Sequence, residues 1–552
     1  MKTTMMDMPL SIQMIFAHGR RLHANARVAS FDGEGFQVSR FADVAARAEA
    51  LAAGLAALGV SRGERVATYC WNRQEHLEAY LAVPCMGSVL HTLNIRLLPE
   101  QVARIMAHAG DRVLIVDRTL IPQLAPVLDQ VPTLEHIVIV GGVPGDLPEQ
   151  PATVVAYEDL LVSSVDRYEW PQHDERDAAV VCYTTGTTGD PKGIVYSHRS
   201  VFLHTLGTLG RDTFGIGQDD RVLLLPSMFH ANAWGLPYSA WFSGADLLLP
   251  REHLKPADLR RMIDLERPSI TALVPTLMND LLREDESEPL DLSCFRAIVS
   301  GGSAVSPGLI RRVKDRWGVP MLQGWGMTET SPMCCLSIPP RDAAPEEQFE
   351  WRAKSGRPVP GMQVRIVDEH GMPCPEDGRH VGELQLRGPW VTGGYHGGAS
   401  PESFTGDGWL RTGDVGTIDA QGYVQITDRS KDVIKSGGEW VSSVDLENQL
   451  SQHPAVDEVA VIGIPDPRWE ERPLALVVPR SGRTIDPAEL QAFLDGRVAR
   501  FWIPEYWSVT ADLPKTSVNK IDKRALRSEF QAGRIEVATC RPAKSATASD
   551  DS

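Results

Sequence analysis

Short apolar runs alternate with helix-like segments from about residue 40 to residue 302, and this pattern restricts the fold more than any other feature of the chain. An alanine-rich amphipathic stretch at residues 40–60 is the first predicted helix. The apolar runs lie at 64–70, 112–117, 135–141, 178–185, 221–226, 245–250, 270–276 and 297–302. Strand–helix–strand order of this kind is typical of α/β layers. We therefore expect an α/β protein whose large N-terminal domain consists of layered α/β subdomains.

The pattern changes in the last third of the chain. Segments 361–371 and 382–388 are short alternating runs bounded by glycines, which indicates antiparallel strands and a β-rich subdomain. After Asp428 the sequence returns to mixed helical and strand patterns, so we place a domain boundary there. From residue 536 onward the chain is polar and small, which predicts a disordered tail at 536–552.

Composition excludes several classes of protein. A chain of 552 residues is too long for one core, so at least two domains are expected. A formal net charge of −17 argues against general nucleic-acid binding. The eight cysteines form no C-x-x-C pair, which argues against a disulfide scaffold or a cysteine zinc site. No run of about 20 apolar residues and no clear signal pattern is present, so we predict no membrane span and a cytoplasmic location.

The most informative motif is Tyr183-Thr-Thr-Gly-Thr-Thr-Gly-Asp-Pro-Lys-Gly193, which lies between two apolar runs. Glycines let main-chain N–H groups approach an anion, the threonine hydroxyls add donors, and Lys192 adds a positive charge. A Walker A loop is excluded because Lys192 is followed by Gly193 and strand-like residues. A plain hairpin turn has little need of so many hydroxyls and glycines, so the motif predicts a polyphosphate-binding loop.

This motif resembles the signature loop of the adenylate-forming enzymes, which include acyl-CoA synthetases, luciferases and peptide-synthetase adenylation domains. The resemblance covers about residues 15 to 535, and later segments match further family motifs in the same order. Segment 226–235, with its His-x-Asn-x-Trp form, and segment 435–440 are similar to the fatty-acyl-CoA synthetases in particular. Residues 300–304 resemble the segment that lies against adenine in the family.

The resemblance implies roles for individual residues. Lys520, Thr328, Glu329 and Lys192 are the expected catalytic residues, and Thr184 and Glu329 the expected Mg²⁺ ligands, since a hard cation prefers oxygen donors. His230, Trp234 and Gly326 are expected to contact the acid, with the Trp234 indole as a gate to an acyl tunnel. The expected nucleotide- and cofactor-binding residues are Thr184, Thr185, Gly186, Thr187, Thr188, Ala231, Trp234, Gly302, Gln323, Gly324, Trp325, Thr328, Asp414, Arg429, Lys431, Lys435 and Trp440.

Two positions depart from the usual family pattern. Trp325 stands where many members have tyrosine, and an indole can also stack on adenine. Asn519 precedes Lys520 where the family usually has glycine; asparagine tolerates left-handed backbone better than most residues. The resemblance further implies a hinge at 428–431 between an N-terminal domain, 1–427, and a small mobile α+β domain, 432–535.

The implied activity is ATP-dependent conversion of a carboxylic acid, a medium- or long-chain fatty acid, to acyl-AMP and then to its coenzyme A thioester. The expected cofactors are ATP, Mg²⁺ and coenzyme A, and relatives suggest a homodimer. A short acid such as 3-methylthiopropionate, or an aryl acid, stays open as the substrate. A peptide-synthetase module is disfavoured because the chain after 535 is too short for a carrier domain. From another class, an inactive nucleotide-binding regulator is the alternative, which intact Thr184, Glu329, Asp414 and Lys520 argue against.

Overall fold

A computed structural model describes residues 3–147, 150–162, 168–184, 191–429, 432, 434–436, 439–516 and 520–540. The chain divides into two compact units. The first unit contains Met1–Gly302, Val313–Val364 and Leu386–Arg411, and the second contains Ser303–Arg312, Arg365–Gln385 and Thr412–Ser552. The two units are described separately.

Helices and strands alternate closely from the start of the chain. In order they are α1 (Ile12–Leu22), β1 (Arg27–Phe31), β2 (Phe36–Arg40), α2 (Phe41–Ala57), β3 (Arg65–Tyr69), α3 (Gln74–Cys85), β4 (Val89–Thr92), α4 (Pro99–Ala109), β5 (Asp111–Asp117), α5 (Ile121–Leu124), β6 (His136–Val140), β7 (Thr153–Ala156) and α6 (Tyr157–Val162). The predicted helix at 40–60 corresponds to α2, which buries Phe41, Val44, Ala48, Leu51 and Leu55 at helical spacing.

The alternation continues through the middle of the chain. The next elements are β8 (Ala178–Thr184), β9 (Lys192–Ser197), α7 (His198–Leu209), β10 (Arg221–Leu223), α8 (Leu236–Ser243), β11 (Asp246–Leu249), α9 (Pro256–Glu266), β12 (Ile270–Leu273), α10 (Pro275–Ser287), β13 (Ala297–Gly301), α11 (Pro307–Trp317), β14 (Met321–Gly326) and β15 (Met333–Leu336). Most of the predicted apolar runs therefore form strands.

Strands predominate in the last part of the chain. These elements are α12 (Gln348–Ala353), β16 (Arg357–Pro358), β17 (Gln363–Val367), β18 (Gly382–Arg387), β19 (Leu410–Ile418), β20 (Val424–Arg429), β21 (Ile434–Ser436), β22 (Glu439–Val441), α13 (Ser443–Leu450), β23 (Val456–Asp466), β24 (Glu470–Pro479), α14 (Pro487–Leu494), β25 (Tyr506–Val509), α15 (Lys523–Gln531) and β26 (Ala538–Thr539).

Two sheets form the framework of the first unit. One has the strand order β7-β6-β5-β3-β4-β8-β9, and the other β16-β15-β14-β13-β12-β10-β11-β1-β2. Both are parallel in the centre and antiparallel at one or both edges, for example where β8 pairs with β9 and β14 with β15. Parallel strands need crossover connections, which explains the helices that alternate with them. Central strands such as β5 bury nearly every residue, as expected of a sheet covered on both faces.

The second unit is built largely from antiparallel strands. It contains most of a four-stranded sheet, β17-β18-β19-β20, and a six-stranded sheet in which β21, β23 and β25 all pair with β24. One apolar cluster of this unit includes Leu446, Val461 and Trp507. The α/β layers of the N-terminal part and the smaller, sheet-containing C-terminal part confirm the predicted fold class.

The end of the chain differs from the sequence-based expectation. Disorder was expected from residue 536, yet Ala538–Thr539 pair with Tyr506 and Trp507 of β25. The Gln491 side-chain amide also donates to the Cys540 carbonyl oxygen at 2.6 Å. Residues 538–540 take part in these interactions through main-chain groups, so the polar composition of the segment gave no sign of them. Residues 541–552 lie outside the described part of the chain. In the part that is described, no helix has both the length and the apolar character needed to cross a bilayer.

Candidate active site

The strand pair that flanks the predicted phosphate loop stays paired up to the last residues before the loop. β8 and β9 are antiparallel, and Thr184 faces Lys192 as the final pair. Both side chains are half-buried. The loop residues Thr185, Gly186, Thr187 and Thr188 lie outside the described residues. The pairing therefore places a predicted metal ligand and a predicted catalytic cation opposite each other where the loop begins and ends.

Glu329 and Lys192 both contact Tyr395. The Tyr395 hydroxyl donates to Glu329 Oε1 at 2.8 Å, and Lys192 Nζ lies 5.2 Å from the centre of the Tyr395 ring. Glu329 is buried, with 7% of its surface exposed. Burial, followed by the nearby Glu329 charge, raises the pKa of Tyr395, so the phenol keeps its proton. Sequence reasoning missed Tyr395, because an aromatic residue after a glycine pair is no distinctive signal.

Thr328 and Glu329 lie in a short 3-10 turn that follows β14. The Tyr196 hydroxyl donates to the Thr328 carbonyl oxygen at 2.6 Å. Tyr196 belongs to β9, the same strand that carries Lys192. Strand β9 is therefore linked to the Thr328–Glu329 turn in two ways. Tyr196 contacts Thr328 directly, and Lys192 contacts Tyr395, which in turn contacts Glu329.

Strand β14 presents four of the predicted nucleotide- and substrate-binding residues. Its side chains alternate, so Gln323 and Trp325 point to the buried face, while Gly324 and Gly326 lie on the partly exposed one. A Cβ atom on Gly326 would lie 1.7 Å from the Pro332 carbonyl oxygen, so this position accepts only glycine. At Gly326 the partly exposed face of β14 is therefore packed against the backbone at Pro332.

The segment predicted to line the acyl site has an unusual backbone. Ala231, Asn232, Ala233 and Trp234 have φ values of 43°, 53°, 48° and 59° and are followed by Gly235 at 76°. We call residues 231–235 the left-handed turn. A non-glycine residue in this region costs on the order of 1 kcal/mol, so such a run needs support from its surroundings. His230, half-buried, immediately precedes the turn.

The left-handed turn directs the Trp234 indole towards the ends of β13 and β14. A Cβ atom on Gly301 would lie 3.3 Å from the far edge of the Trp234 ring and 2.8 Å from the Gly324 carbonyl oxygen. Gly301 is therefore required for this close approach, and Gly302 follows it with a φ of 82°. The structure thus brings Trp234 together with the two strand ends predicted to bind adenine.

A small cavity lies behind the left-handed turn. Its lining residues are Val201, His204, Thr205, Asn232, Gly235, Tyr238 and Ser331. Burial lowers the pKa of His204 to about 3, so its imidazole is neutral at physiological pH. Its Nε2 atom accepts from the Met333 main-chain N–H at 3.4 Å. The cavity wall therefore carries no histidine charge.

The remaining predicted residues belong to the second unit. Asp414 of β19 pairs with Arg429 of β20, and its main-chain N–H donates to Thr412 Oγ1 at 3.0 Å. Lys435 of β21 pairs with Trp440 of β22. The side chains of Arg429, Lys435 and Trp440 and all of Lys431 are outside the described part of the chain.

Lys520 is half-buried in the second unit. Its main-chain N–H donates to Thr516 Oγ1 at 3.2 Å, and its carbonyl oxygen accepts from the Thr516 N–H at 2.6 Å. Two hydrogen bonds thus join Lys520 to Thr516, and residues 517–519, which include Asn519, lie outside the described part of the chain.

Comparison with known proteins agrees with this geometry. A family model described as AMP-binding enzyme matches residues 18–396, and one described as AMP-binding enzyme C-terminal domain matches 445–520. The long-chain-fatty-acid–CoA ligase of Thermus thermophilus is 43% identical over 96% of this chain and 97% of its own. The 3-methylmercaptopropionyl-CoA ligase of Ruegeria pomeroyi is 40% identical over 96% and 98%.

A solved structure resembles the fold along nearly its whole length. The crystal structure of the anthranilate CoA ligase AuaEII in complex with anthranoyl-AMP superposes with a TM-score of 0.86, at 27% identity, covering 97% of this chain and 99% of that one. Ligases of the AMP-binding family use ATP and coenzyme A. The chain belongs to the AMP-binding enzyme family and is an adenylate-forming acyl-CoA ligase.

Proposed function

We propose that this ligase activates a medium- or long-chain fatty acid with ATP to give acyl-AMP and pyrophosphate, and then transfers the acyl group to coenzyme A with release of AMP. The observation that carries the proposal is the convergence of Lys192 and Glu329 on Tyr395, where the predicted phosphate loop meets the Thr328–Glu329 turn. A cation and an anion held in one place suit a metal-bound polyphosphate.

In the first half-reaction the acid carboxylate attacks the α-phosphorus of ATP. A carboxylate is already ionised at neutral pH, so this step needs no general base. Negative charge accumulates on the phosphoryl oxygens, and the Lys192 ammonium, the Thr328 hydroxyl and Lys520 supply fixed donors to stabilise it. Thr185, Gly186, Thr187 and Thr188 hold the polyphosphate in this proposal.

Thr184 and Glu329 fit as the protein ligands of Mg²⁺. A carboxylate and a hydroxyl are hard oxygen donors, and Mg²⁺ commonly takes only one or two protein ligands beside phosphates and water. In the described part of the chain no group of three or more His, Cys, Asp or Glu side chains could hold a metal. When bound, Mg²⁺ neutralises charge on the phosphate oxygens.

In the second half-reaction the coenzyme A thiol attacks the acyl carbonyl carbon and AMP leaves. His230, half-buried beside the left-handed turn, is the candidate to accept the thiol proton. Asp414 accepts hydrogen bonds from the ribose hydroxyls in this proposal, since a carboxylate has two acceptor oxygens for a diol. Arg429, Lys431, Lys435 and Trp440 are proposed nucleotide contacts.

The two half-reactions require different residues of the C-terminal domain. Lys520 serves adenylation and segment 435–440 the thioester step, so we propose that residues 432–535 rotate about a hinge at 428–431 relative to 1–427. Both groups of residues are in the second unit.

The likeness to the Thermus long-chain ligase along the whole chain supports a fatty acid. The likeness to the 3-methylmercaptopropionyl-CoA ligase makes a short thioether acid the second candidate.

The experiment is pyrophosphate release from ATP, measured with saturated acids of increasing length, 3-methylmercaptopropionate and anthranilate, each with and without coenzyme A. The proposal predicts the highest kcat/KM for a medium- or long-chain acid. The highest kcat/KM with 3-methylmercaptopropionate would mean that the substrate is a short thioether acid and that the proposed reaction is otherwise unchanged. No release with any of these acids would contradict the proposal.

Location and assembly are proposed on separate grounds. All eight cysteines are free, which suits a reducing compartment such as the cytoplasm. A homodimer through the N-terminal region is proposed from the resemblance to fatty-acyl-CoA synthetases. Light scattering on the intact chain and on a chain lacking residues 1–8 tests the dimer.

A further inference from the structure

Residues 390–395, which we call the strap, are fixed to the segment that contains Glu329. The Thr392 main-chain N–H donates to the Glu329 carbonyl oxygen at 2.8 Å. Ser331 Oγ donates to the Trp390 carbonyl oxygen at 3.1 Å, and Trp390 Nε1 donates to the Met333 carbonyl oxygen at 2.8 Å. These three bonds, formed between segments about 60 residues apart in sequence, set the position of the strap independently of Tyr395.

Tyr395 lies at the end of the strap and joins it to the phosphate side of the site. Its hydroxyl donates to Glu329 Oε1 at 2.8 Å, and its ring lies under Lys192 Nζ at 5.2 Å. The next residue, His396, is also close to β9, since a Cβ atom on Gly193 would lie 3.0 Å from the His396 Cβ. One side chain thus contacts both the predicted metal ligand and the predicted phosphate-binding cation.

The two contacts restrict different groups. A hydrogen bond from a phenol to a buried carboxylate fixes the orientation of the carboxylate plane, and an ionised carboxylate has enough lone pairs to accept this bond and also bind a cation. A ring face beneath an ammonium favours the position of the nitrogen over the ring. Neither contact involves Tyr395 in bond making or breaking.

We propose that Tyr395 is a positioning residue that orients the Glu329 carboxylate towards a divalent cation and the Lys192 ammonium towards the nucleotide phosphates. This inference rests on the proposed function, because it assumes that Glu329 and Lys192 act on a metal–nucleotide complex. Its distinguishing consequence is that the hydroxyl and the ring of Tyr395 affect two different binding steps.

Two substitutions separate the contacts. Tyr395→Phe removes the hydroxyl bond to Glu329 and keeps the ring under Lys192. Tyr395→Leu removes both. Tyr157→Phe is the matched control, because the Tyr157 hydroxyl donates to the buried Glu78 carboxylate at 2.6 Å, so this variant also loses a tyrosine–glutamate bond within the first unit.

The test measures binding without turnover. Mn²⁺ affinity is determined by electron paramagnetic resonance in the presence of saturating α,β-methylene-ATP, and affinity for α,β-methylene-ATP alone is determined by calorimetry in EDTA. We expect Tyr395→Phe to weaken Mn²⁺ binding about 10-fold, the usual effect of losing a partner of a metal ligand, and to leave metal-free nucleotide binding unchanged. Tyr395→Leu should also weaken metal-free nucleotide binding, by about threefold.

The outcomes separate this inference from the proposed function. If Tyr395→Phe binds Mn²⁺ with wild-type affinity, the proposed role of Tyr395 is overturned. It is also overturned if Tyr157→Phe loses as much Mn²⁺ affinity as Tyr395→Phe, because that result indicates general destabilisation. If the wild-type protein binds neither α,β-methylene-ATP nor Mn²⁺, the proposed function fails and the role of Tyr395 fails with it.

Discussion

Asn72 anchors the chain just before the left-handed turn, and its removal is expected to release the turn. The Asn72 amide donates to the carbonyl oxygens of Leu224 and Pro226, each at 2.9 Å, and its Oδ1 accepts from the Met228 main-chain N–H at 2.7 Å. Asn72 is 4% exposed. The Tyr80 hydroxyl also donates to the Met228 carbonyl oxygen. Asn72, which lies between β3 and α3, and Tyr80 of α3 therefore fix the main chain that leads into the turn.

The magnitudes decide the expected outcome. Four consecutive non-glycine residues in the left-handed region carry roughly 4–8 kcal/mol of strain in total. Asn72→Ala leaves three buried main-chain groups without their partner, at about 1–3 kcal/mol each before relaxation. The free energy lost with the three Asn72 hydrogen bonds is thus comparable to the strain of the left-handed turn that they hold in place. We expect the free energy of unfolding to fall by about 3 kcal/mol and the turn to leave its left-handed conformation.

The assay measures the KM for the acid and the KM for ATP of each variant, and urea unfolding of the same variants gives their free energy of unfolding. Because the turn carries Trp234 beside Gly301, Asn72→Ala should raise the KM for the acid about tenfold, equivalent to about 1.4 kcal/mol. Gln13→Ala is the control, since the Gln13 amide donates to the Cys85 and Pro171 carbonyl oxygens at 2.9 and 2.6 Å. An unchanged acid KM in Asn72→Ala, with instability equal to that of Gln13→Ala, would refute the reasoning.

Three further predictions follow from individual residues. Lys520→Ala should slow acyl-AMP formation by about 100-fold or more, because one donor that stabilises the transition-state charge is lost, and should leave thioester formation from supplied acyl-AMP unchanged. An equal loss of rate in both half-reactions would contradict this prediction. Burial lowers the pKa of His204 to about 3, so below pH 6.5 the unfolded chain binds more protons than the folded one, and stability is lost as the pH falls. His204→Gln should therefore make the decline of the unfolding free energy between pH 6 and pH 4 smaller by about 1.4 kcal/mol per pH unit, and an unchanged slope would contradict this prediction. Gly301→Ala places a Cβ 2.8 Å from the Gly324 carbonyl oxygen and 3.3 Å from Trp234, so it should lower the unfolding free energy by about 1–3 kcal/mol and shift tryptophan fluorescence; a wild-type spectrum and stability would refute it.

Local pattern was sufficient to predict most of the framework. The apolar run at 112–117 became β5, the run at 178–185 became β8, and both lie in a largely parallel sheet, because hydrophobic periodicity reports which faces are buried. The motif residues Thr184 and Gly301 also lie where strands end, as their sequence context indicated.

Features that depend on distant contacts were not predictable. The left-handed turn contains no glycine before Gly235, so the sequence gives no local reason for its backbone; Asn72, which supports it, lies about 160 residues earlier. Tyr395 reaches Glu329 across 66 residues. The pairing of Ala538–Thr539 with β25 rests on main-chain hydrogen bonds that composition does not encode.

The most direct test of the central claim follows oxygen from the acid to AMP. The acid that gives the highest pyrophosphate release is supplied with ¹⁸O in both carboxylate oxygens, together with ATP and coenzyme A, and the nucleotide product is analysed by mass spectrometry. Attack of the carboxylate on the α-phosphorus predicts AMP that carries one ¹⁸O atom per molecule, with unlabelled pyrophosphate. Unlabelled AMP, or ADP with phosphate as the products, would contradict formation of an acyl-AMP intermediate.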